Sequence, residues 1–190
     1  MGASGSAVKW ASPTLREIWK ENDAIREALV TEVRGLSVAQ LAFQPAPGKW
    51  SIGEILDHLS LAERSITRVA SRVLQQAAGL GLVGEPGSIQ PPPHEIDREL
   101  FNAPANAPES VLPSHGRPLE RLLVSLEESR ERLTEVSSRA DGRVVGNVTI
   151  RHFQLGELHF YQWLVLEGAH ESKHLFQIRQ IKSRPKFPRS

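Results

Sequence analysis

No cysteine occurs in this chain of 190 residues, which removes disulfides, thiolate metal ligands and a cysteine nucleophile together. Any metal ion must be held by His, Asp or Glu. Net charge is nearly absent too: 23 Lys and Arg stand against 22 Asp and Glu, so the overall field gives no reason to expect a nucleic acid or an anionic membrane as partner. No stretch approaches the ~18 apolar residues that span a bilayer, and the opening MGASGSAVKW lacks the apolar core of a signal peptide. A soluble, cytoplasmic protein is expected. The same opening fits M-G-x-x-x-[ST], a myristoylation pattern that tests only a few positions. Acidic residues stop at Glu171, while Lys173, Arg179, Lys182, Arg184, Lys186 and Arg189 follow. The basic tail over 182–190 is expected to be solvated and frayed.

What is present is helical periodicity. Ser12-Pro13 offers an N-cap and a first-turn proline, and Leu15, Ile18, Asn22, Ile25, Leu29 and Val33 then repeat up to Gly35, with Asn22 the one polar seam position. Ser37 can cap a short turn through Val38 and Leu41 before Pro45, Pro47 and Gly48. Ser51 and Glu54 form a capping box for a second long helix, whose broad apolar face runs from Ile52 to Val73 and which ends near Ala78. Residues 79–117 are rich in Gly, Pro and Asn, far longer than an ordinary connection, and read as either disordered or a lid over the bundle end. Pro118 opens a third helix carrying Leu119, Leu122, Leu126, Leu133 and Val136 on one face. RVVGNVTI can be extended, but one short strand candidate does not make a sheet. A fourth helix is expected from about His152 to Ile181, with Pro185 beyond its end. The pattern predicts an all-α fold, a four-helix bundle forming a single domain over 1–190.

On that fourth helix His170-Glu171-Ser172-Lys173-His174 matches H-E-x-x-H, the zinc protease signature. At 100° per residue His159, Trp163, Leu166, His170, His174, Gln177 and Ile181 share a stripe within about 80°. Two imidazoles one turn apart in an apolar stripe either find separate polar partners or share a cation, and the shared cation is the simpler solution. A protease would take its third ligand downstream, yet after His174 there is no Glu, Asp or His. The third ligand must lie upstream. His94 and His115 fall in the Pro-rich segment, and His159 stands roughly 16 Å from His170 along the helix. His58, flanking the apolar arc of the second helix, completes the best set: His58, His170 and His174. Glu171 reads as a rim carboxylate near Lys173 and Arg179, since its angle points about 100° away from His170. Glu167, one turn before His170, is a candidate to accept a hydrogen bond from an imidazole and orient it, with Asp57 and Glu54 comparable, and the roles of Glu167 and Glu171 stay open. Trp50 and Trp163 read as core aromatics.

Three stretches carry a family resemblance: KWSIGEILDHLSLAERS, FNAPANAPESVLPSHGRPLERLLVSLEESRERL and LGELHFYQWLVLEGAHESKHLFQIRQI, together most of residues 49–181. They resemble the DinB-like superfamily, which includes the YfiT-type metal-dependent hydrolases. The resemblance implies an up-down-down-up four-helix bundle, one divalent metal on His58, His170 and His174, and frequently a homodimer. It also implies thiol-dependent transferase or isomerase chemistry with bacillithiol, mycothiol or glutathione, or hydrolysis. Three neutral imidazoles leave positions open, as a catalytic site requires, and nitrogen ligation suits Zn or Ni first, with Fe or Co next. The expected function is a metal-dependent thiol S-transferase or hydrolase acting on a small molecule, with thiol plus electrophile as one substrate pair. The alternatives are a non-enzymatic metal-binding or stress-associated protein and, least favoured, a zincin-like protease.

Overall fold

The computed structural model describes residues 8–89, 91–103 and 106–189, so the myristoylation pattern at the N-terminus lies outside the described residues. Four long helices form the body: α1 (Pro13–Val33), α3 (Ile52–Gly79), α5 (Leu119–Ser138) and α6 (Phe160–Lys182). Two short ones, α2 (Val38–Ala42) and α4 (Arg98–Asn102), and a 3-10 turn at Glu109–Val111 lie in the connections. The caps read from the sequence hold. Ser12 Oγ accepts from the Leu15 amide at 3.4 Å, and Ser51 and Glu54 exchange hydrogen bonds as a capping box.

Side-chain pairs give the helix directions. Asn22 meets Leu164, Arg26 meets Glu171 and Glu32 meets Lys182, so α1 and α6 run the same way. The side chain of Leu122 lies beside Gly53, and Arg64 meets Glu128, so α3 and α5 run together. One apolar cluster joins Ile52–Leu59 to Leu175–Ile181 and another joins Ile66–Ala77 to Leu158–Leu166, which sets α3 antiparallel to α6. The bundle is up-down-down-up. No helix among the described residues is long and apolar enough to cross a membrane.

Between the two apolar clusters lies a charged layer to which each long helix contributes. Arg26 (α1) reaches Glu63 (α3) at 3.0 Å and Glu171 (α6) at 2.5 Å, and Arg130 (α5) reaches the same two carboxylates at 2.7 and 2.6 Å. Ser129 adds a 2.5 Å hydrogen bond to Glu63, and the Arg130 guanidinium also lies 5.4 Å from the centre of the Trp19 ring. Glu63, Glu167 and Glu171 are all fully buried. Nearby, α1 and α6 approach so closely that a Cβ on Gly168 would collide with the Asn22 side chain. Asn22, the polar seam position, donates there to the Leu164 carbonyl at 3.0 Å.

Two of three expectations need correction. The fourth helix begins at Phe160, not near His152, because residues 149–159 form an antiparallel hairpin, β3 (Thr149–His152) with β4 (Gly156–His159), paired Ile150 to Leu158. Val144–Val145 (β2) likewise pairs with Val83–Gly84 (β1), so RVVGNVTI supplies residues to two small sheets. Leu155, Leu158 and Tyr161 fall three apart, as on a helix, but Gly156 at φ 73° turns the chain. Second, of the two readings of the segment 79–117, its described residues take the ordered one and pack across the bundle. Gln154 at the hairpin tip donates to the Leu100 carbonyl at 2.6 Å, and Gln162 to the Glu95 carbonyl at 2.9 Å. Third, the basic tail is docked: Lys182 binds Glu32 at 2.6 Å, Gln40 donates to the Pro188 carbonyl and Phe187 packs edge-on to Phe43.

The charged layer generates two opposed expectations. Burial, then repulsion from Glu63, raises the Glu167 carboxyl well above its usual 4.5, and neither oxygen has a hydrogen-bond partner among the described residues. The folded state therefore keeps a proton that the unfolded chain releases. That contribution is fully present below about pH 4.5 and is lost as pH rises toward the folded value. Glu167→Gln is expected to raise the thermal midpoint by several degrees at about pH 8 and to leave it unchanged near pH 4. Arg26→Met, which strips one cation from Glu63 and Glu171, is expected to cost about 3–5 kcal/mol in urea unfolding.

Candidate metal centre

His58 stands on the second turn of α3, and His170 and His174 stand one turn apart on α6. The antiparallel crossing of these helices brings the three rings together across 112 residues of sequence. His170 Nε2 lies 3.2 Å from His58 Nε2 and 3.2 Å from His174 Nε2. The outer nitrogens decide the tautomers. His58 Nδ1 donates to the Val111 carbonyl at 2.8 Å, and His174 Nδ1 to Gln177 Oε1 at 3.0 Å. As neutral rings both must then turn a lone pair on Nε2 toward His170, and a single His170 proton is left to share between them. The trio has more lone pairs than protons, which suits a cation. Nitrogens held about 2.0–2.1 Å from a tetrahedral zinc ion stand about 3.3 Å apart, close to the spacing observed. Among the described residues no other three His, Asp or Glu side chains gather within 4.8 Å in this way.

Burial supports the neutral forms. It is the largest cause lowering His58, His170 and His174 below the usual 6.5; His170 is pushed well below and His174 to about 4. The facing imidazoles add to the shift at His170 and His174 by mutual repulsion of their charged forms. All three are thus ready as ligands at neutral pH.

His58 on α3 is braced by the long connection. Asp57, beside His58, accepts from the Ser114 amide at 2.8 Å and its hydroxyl at 2.7 Å, and pairs with Arg117. Burial alone would raise the Asp57 carboxyl, but these donors more than offset it and hold it below its usual value. The strap 109–117 is thereby fixed with the Val111 carbonyl against His58. Asp57 orients the ligand through this strap, since its own carboxylate is taken by Ser114 and Arg117.

Above the imidazoles opens a cavity of about 780 Å³, walled by Trp50, Phe101, His152, Phe153 and Trp163. Trp50 is half-buried with its ring centre 4.6 Å from that of His58, so it is a wall of the site and not simply core. Trp163 is buried, donates to the Leu158 carbonyl at 3.1 Å and lines the same cavity from below. His152 was missed as a cavity residue because it was assigned to the fourth helix, and only the turn-forming Gly156 signals otherwise. His159 donates from Nε2 to the Pro93 carbonyl at 2.7 Å, and exposed His115 lies 3.0 Å from Glu54. Neither joins the trio, nor does His94. Glu54 serves the cap.

Both α6 glutamates depart from expectation. Glu171 is no rim carboxylate: it is fully buried between Arg26 and Arg130, because the 100° that separates it from His170 points it into the bundle and not outward. Glu167 lies in the same layer and hydrogen-bonds no imidazole. The glutamate that would serve as base in a zinc protease is committed to structure.

Residues 21–178 match the model of the DinB superfamily, most of the chain. The chain belongs to the DinB superfamily. It is 30% identical over 157 residues to the uncharacterized protein YuaE of Bacillus subtilis (strain 168), covering 80% of this chain and 90% of that protein. It also resembles the crystal structure of TT2238, a four-helix bundle protein, with a TM-score of 0.61 and 24% identity over 87% of this chain and 98% of that one. The last likeness concerns the fold alone. Three histidines, His58 and His174 buried and His170 half-buried, lie close enough together to hold one ion.

Protein purified without added metal is expected to carry close to one divalent ion by elemental analysis, and His58→Ala, His170→Ala and His174→Ala each to abolish it. Occupancy below about half an equivalent, or unchanged in the variants, would sink the site. Protons compete with the ion only where the imidazoles titrate. With His174 lowered to about 4 and the other two also lowered, the loss of zinc affinity on acidification is expected to set in at lower pH than for a site of ordinary imidazoles with the usual 6.5, as read by a zinc competition titration across that range. Asp57→Asn, by loosening the strap, is expected to weaken metal binding about ten-fold in a chelator competition.

Proposed function

We propose that this protein is a metal-dependent S-transferase that joins a low-molecular-weight thiol to a small electrophile. The observation that carries the reading is an imidazole trio open on one side to a cavity that no carboxylate of the described residues lines. A divalent ion bound there supplies Lewis acidity and holds a thiol as its thiolate at neutral pH, where a thiol in water is mostly protonated. His58, His170 and His174 would hold the ion, and Val111 and Gln177 would fix the tautomers of two of them. Trp50, Phe101 and Trp163 would exclude water and seat the apolar part of the electrophile.

In the transfer step the sulfur lone pair forms the new S–C bond as the carbon–leaving-group bond breaks. The leaving group departs with its electron pair, and the thiol proton goes to solvent. No protein base is required. Hydrolysis of an amide or unactivated ester calls for a proton relay between water and the leaving group. Glu171 and Glu167, the carboxylates on the ligand helix nearest in sequence, are sequestered in the charged layer. Thiol transfer is therefore the better fit.

The test is turnover of zinc- and nickel-loaded protein with glutathione, bacillithiol or mycothiol and an activated aryl or alkyl halide. Thiol- and metal-dependent product, reduced at least about 100-fold in His170→Ala, is expected. Stoichiometric metal without turnover on any thiol would leave a non-enzymatic metal-binding protein. Ester cleavage that ignores thiol would make it a hydrolase.

A further inference from the structure

The cavity above the imidazoles is cationic in a chain whose charges otherwise balance, 23 against 22. Its lining includes Lys49, Arg151 and Lys173 and no Asp or Glu. Lys173 sits between two of the trio on α6, one residue before His174. Its ammonium donates to the Phe101 carbonyl at 3.2 Å and stands 4.9 Å from the centre of the Phe101 ring, which fixes the charge at the cavity wall. Arg151 on β3 faces Glu157 across the ladder, but the Glu157 carboxylate accepts from Thr149 at 3.0 Å. None of the three cations forms an ion pair with a described Asp or Glu.

His152 adds a donor of a different kind. Its Nδ1 accepts from the Gln154 amide at 3.2 Å and the Leu155 amide at 3.1 Å, so the neutral ring carries its proton on Nε2. Burial lowers its pKa, which keeps it neutral at pH 7. Around these polar groups the walls are flat and apolar: Trp50, Phe101, Phe153 and Trp163. An ion on three neutral imidazoles would add positive charge that no lining carboxylate offsets, so the complement must come from what enters.

We propose that the cavity binds an amphiphilic organic anion, whose carboxylate or phosphate is held by Lys173, Arg151 and the His152 donor. Its apolar body lies against Trp50, Phe101 and Trp163, with its other end toward the imidazoles. This names the substrate class of the site described under the proposed function and rests on that reading for its place in a reaction, but the anion preference itself needs no metal.

The experiment is calorimetric titration of the full-length protein, stripped of metal by chelator, with 4-phenylbutanoate, 4-phenylbutan-1-ol, 4-phenylbutylamine and 3-phenylpropyl phosphate. The carboxylate is expected to bind at least about ten-fold more tightly than the alcohol, with the amine weakest, and the margin to shrink in high salt. Lys173→Met and Arg151→Met are each expected to lower carboxylate affinity severalfold while leaving the alcohol unchanged, which a loss of wall packing would not do. Both positions are exposed, and unfolding midpoints verify that the variants are intact. Phosphate binding at or above carboxylate affinity supports anion recognition and identifies a phosphate ester as the source. Equal binding of carboxylate and alcohol overturns the proposal, as does Lys173→Met weakening both alike. Metal content measured on untreated protein separates the two readings. Anion preference without metal retention leaves this inference standing alone, whereas full metal retention without preference removes only this one.

Discussion

Two arginines and two glutamates, one from each long helix, meet where the apolar core is interrupted. Arg26, Glu63, Arg130 and Glu171 are close to fully buried, so none can be left without a partner. An apolar interface tolerates sliding by a turn, since one leucine can replace another in a groove. A layer of buried charges does not, because a slip of one residue would leave a carboxylate facing hydrocarbon. The layer thus fixes the relative height and rotation of all four helices, and the two apolar clusters pack on either side of that fixed level.

The histidine trio depends on the same constraint. Glu171 immediately follows His170, and consecutive helical side chains diverge by about 100°. Once Glu171 is locked between Arg26 and Arg130, α6 has no rotational freedom left, and His170 and His174 are aimed at α3 and the cavity. Glu63 does the same for α3, five residues beyond His58 and therefore nearly a turn and a half away. A buried charged layer, whatever its net stability, can in this way set the positions of the three imidazoles. The strap from the long connection refines this by placing the Val111 carbonyl behind His58.

Much of this was legible in the chain. Caps at Ser12 and Ser51, the apolar faces and the histidine spacing are local signals with periods that survive folding, and they led to the right helices and to the trio. The hairpin at 149–159 is hidden because Leu155, Leu158 and Tyr161 fall three apart and run on into the apolar residues of α6, and the backbone demand at Gly156 is what distinguishes the two. Glu171 was misread for a different reason. A carboxylate opposite a histidine stripe looks solvent-facing when one helix is considered alone, and its partners Arg26 and Arg130 lie 145 and 41 residues away. Nothing local reveals that a second interior face exists. The docking of the basic tail was likewise invisible, since its anchors Glu32 and Phe43 belong to other helical segments.

The H-E-x-x-H match shows how one pattern can serve two chemistries. In a zinc protease the glutamate must face the ion with its histidines, whereas here the histidines face the cavity and the glutamate faces the bundle. The spacing of the histidines is set by the helix and is therefore open to any protein that aims two imidazoles of one helix at one ion. The use of the intervening glutamate is set by what packs against the adjacent face. In this chain that face carries two arginines, so a residue that elsewhere would move protons instead holds the ligand helix in register.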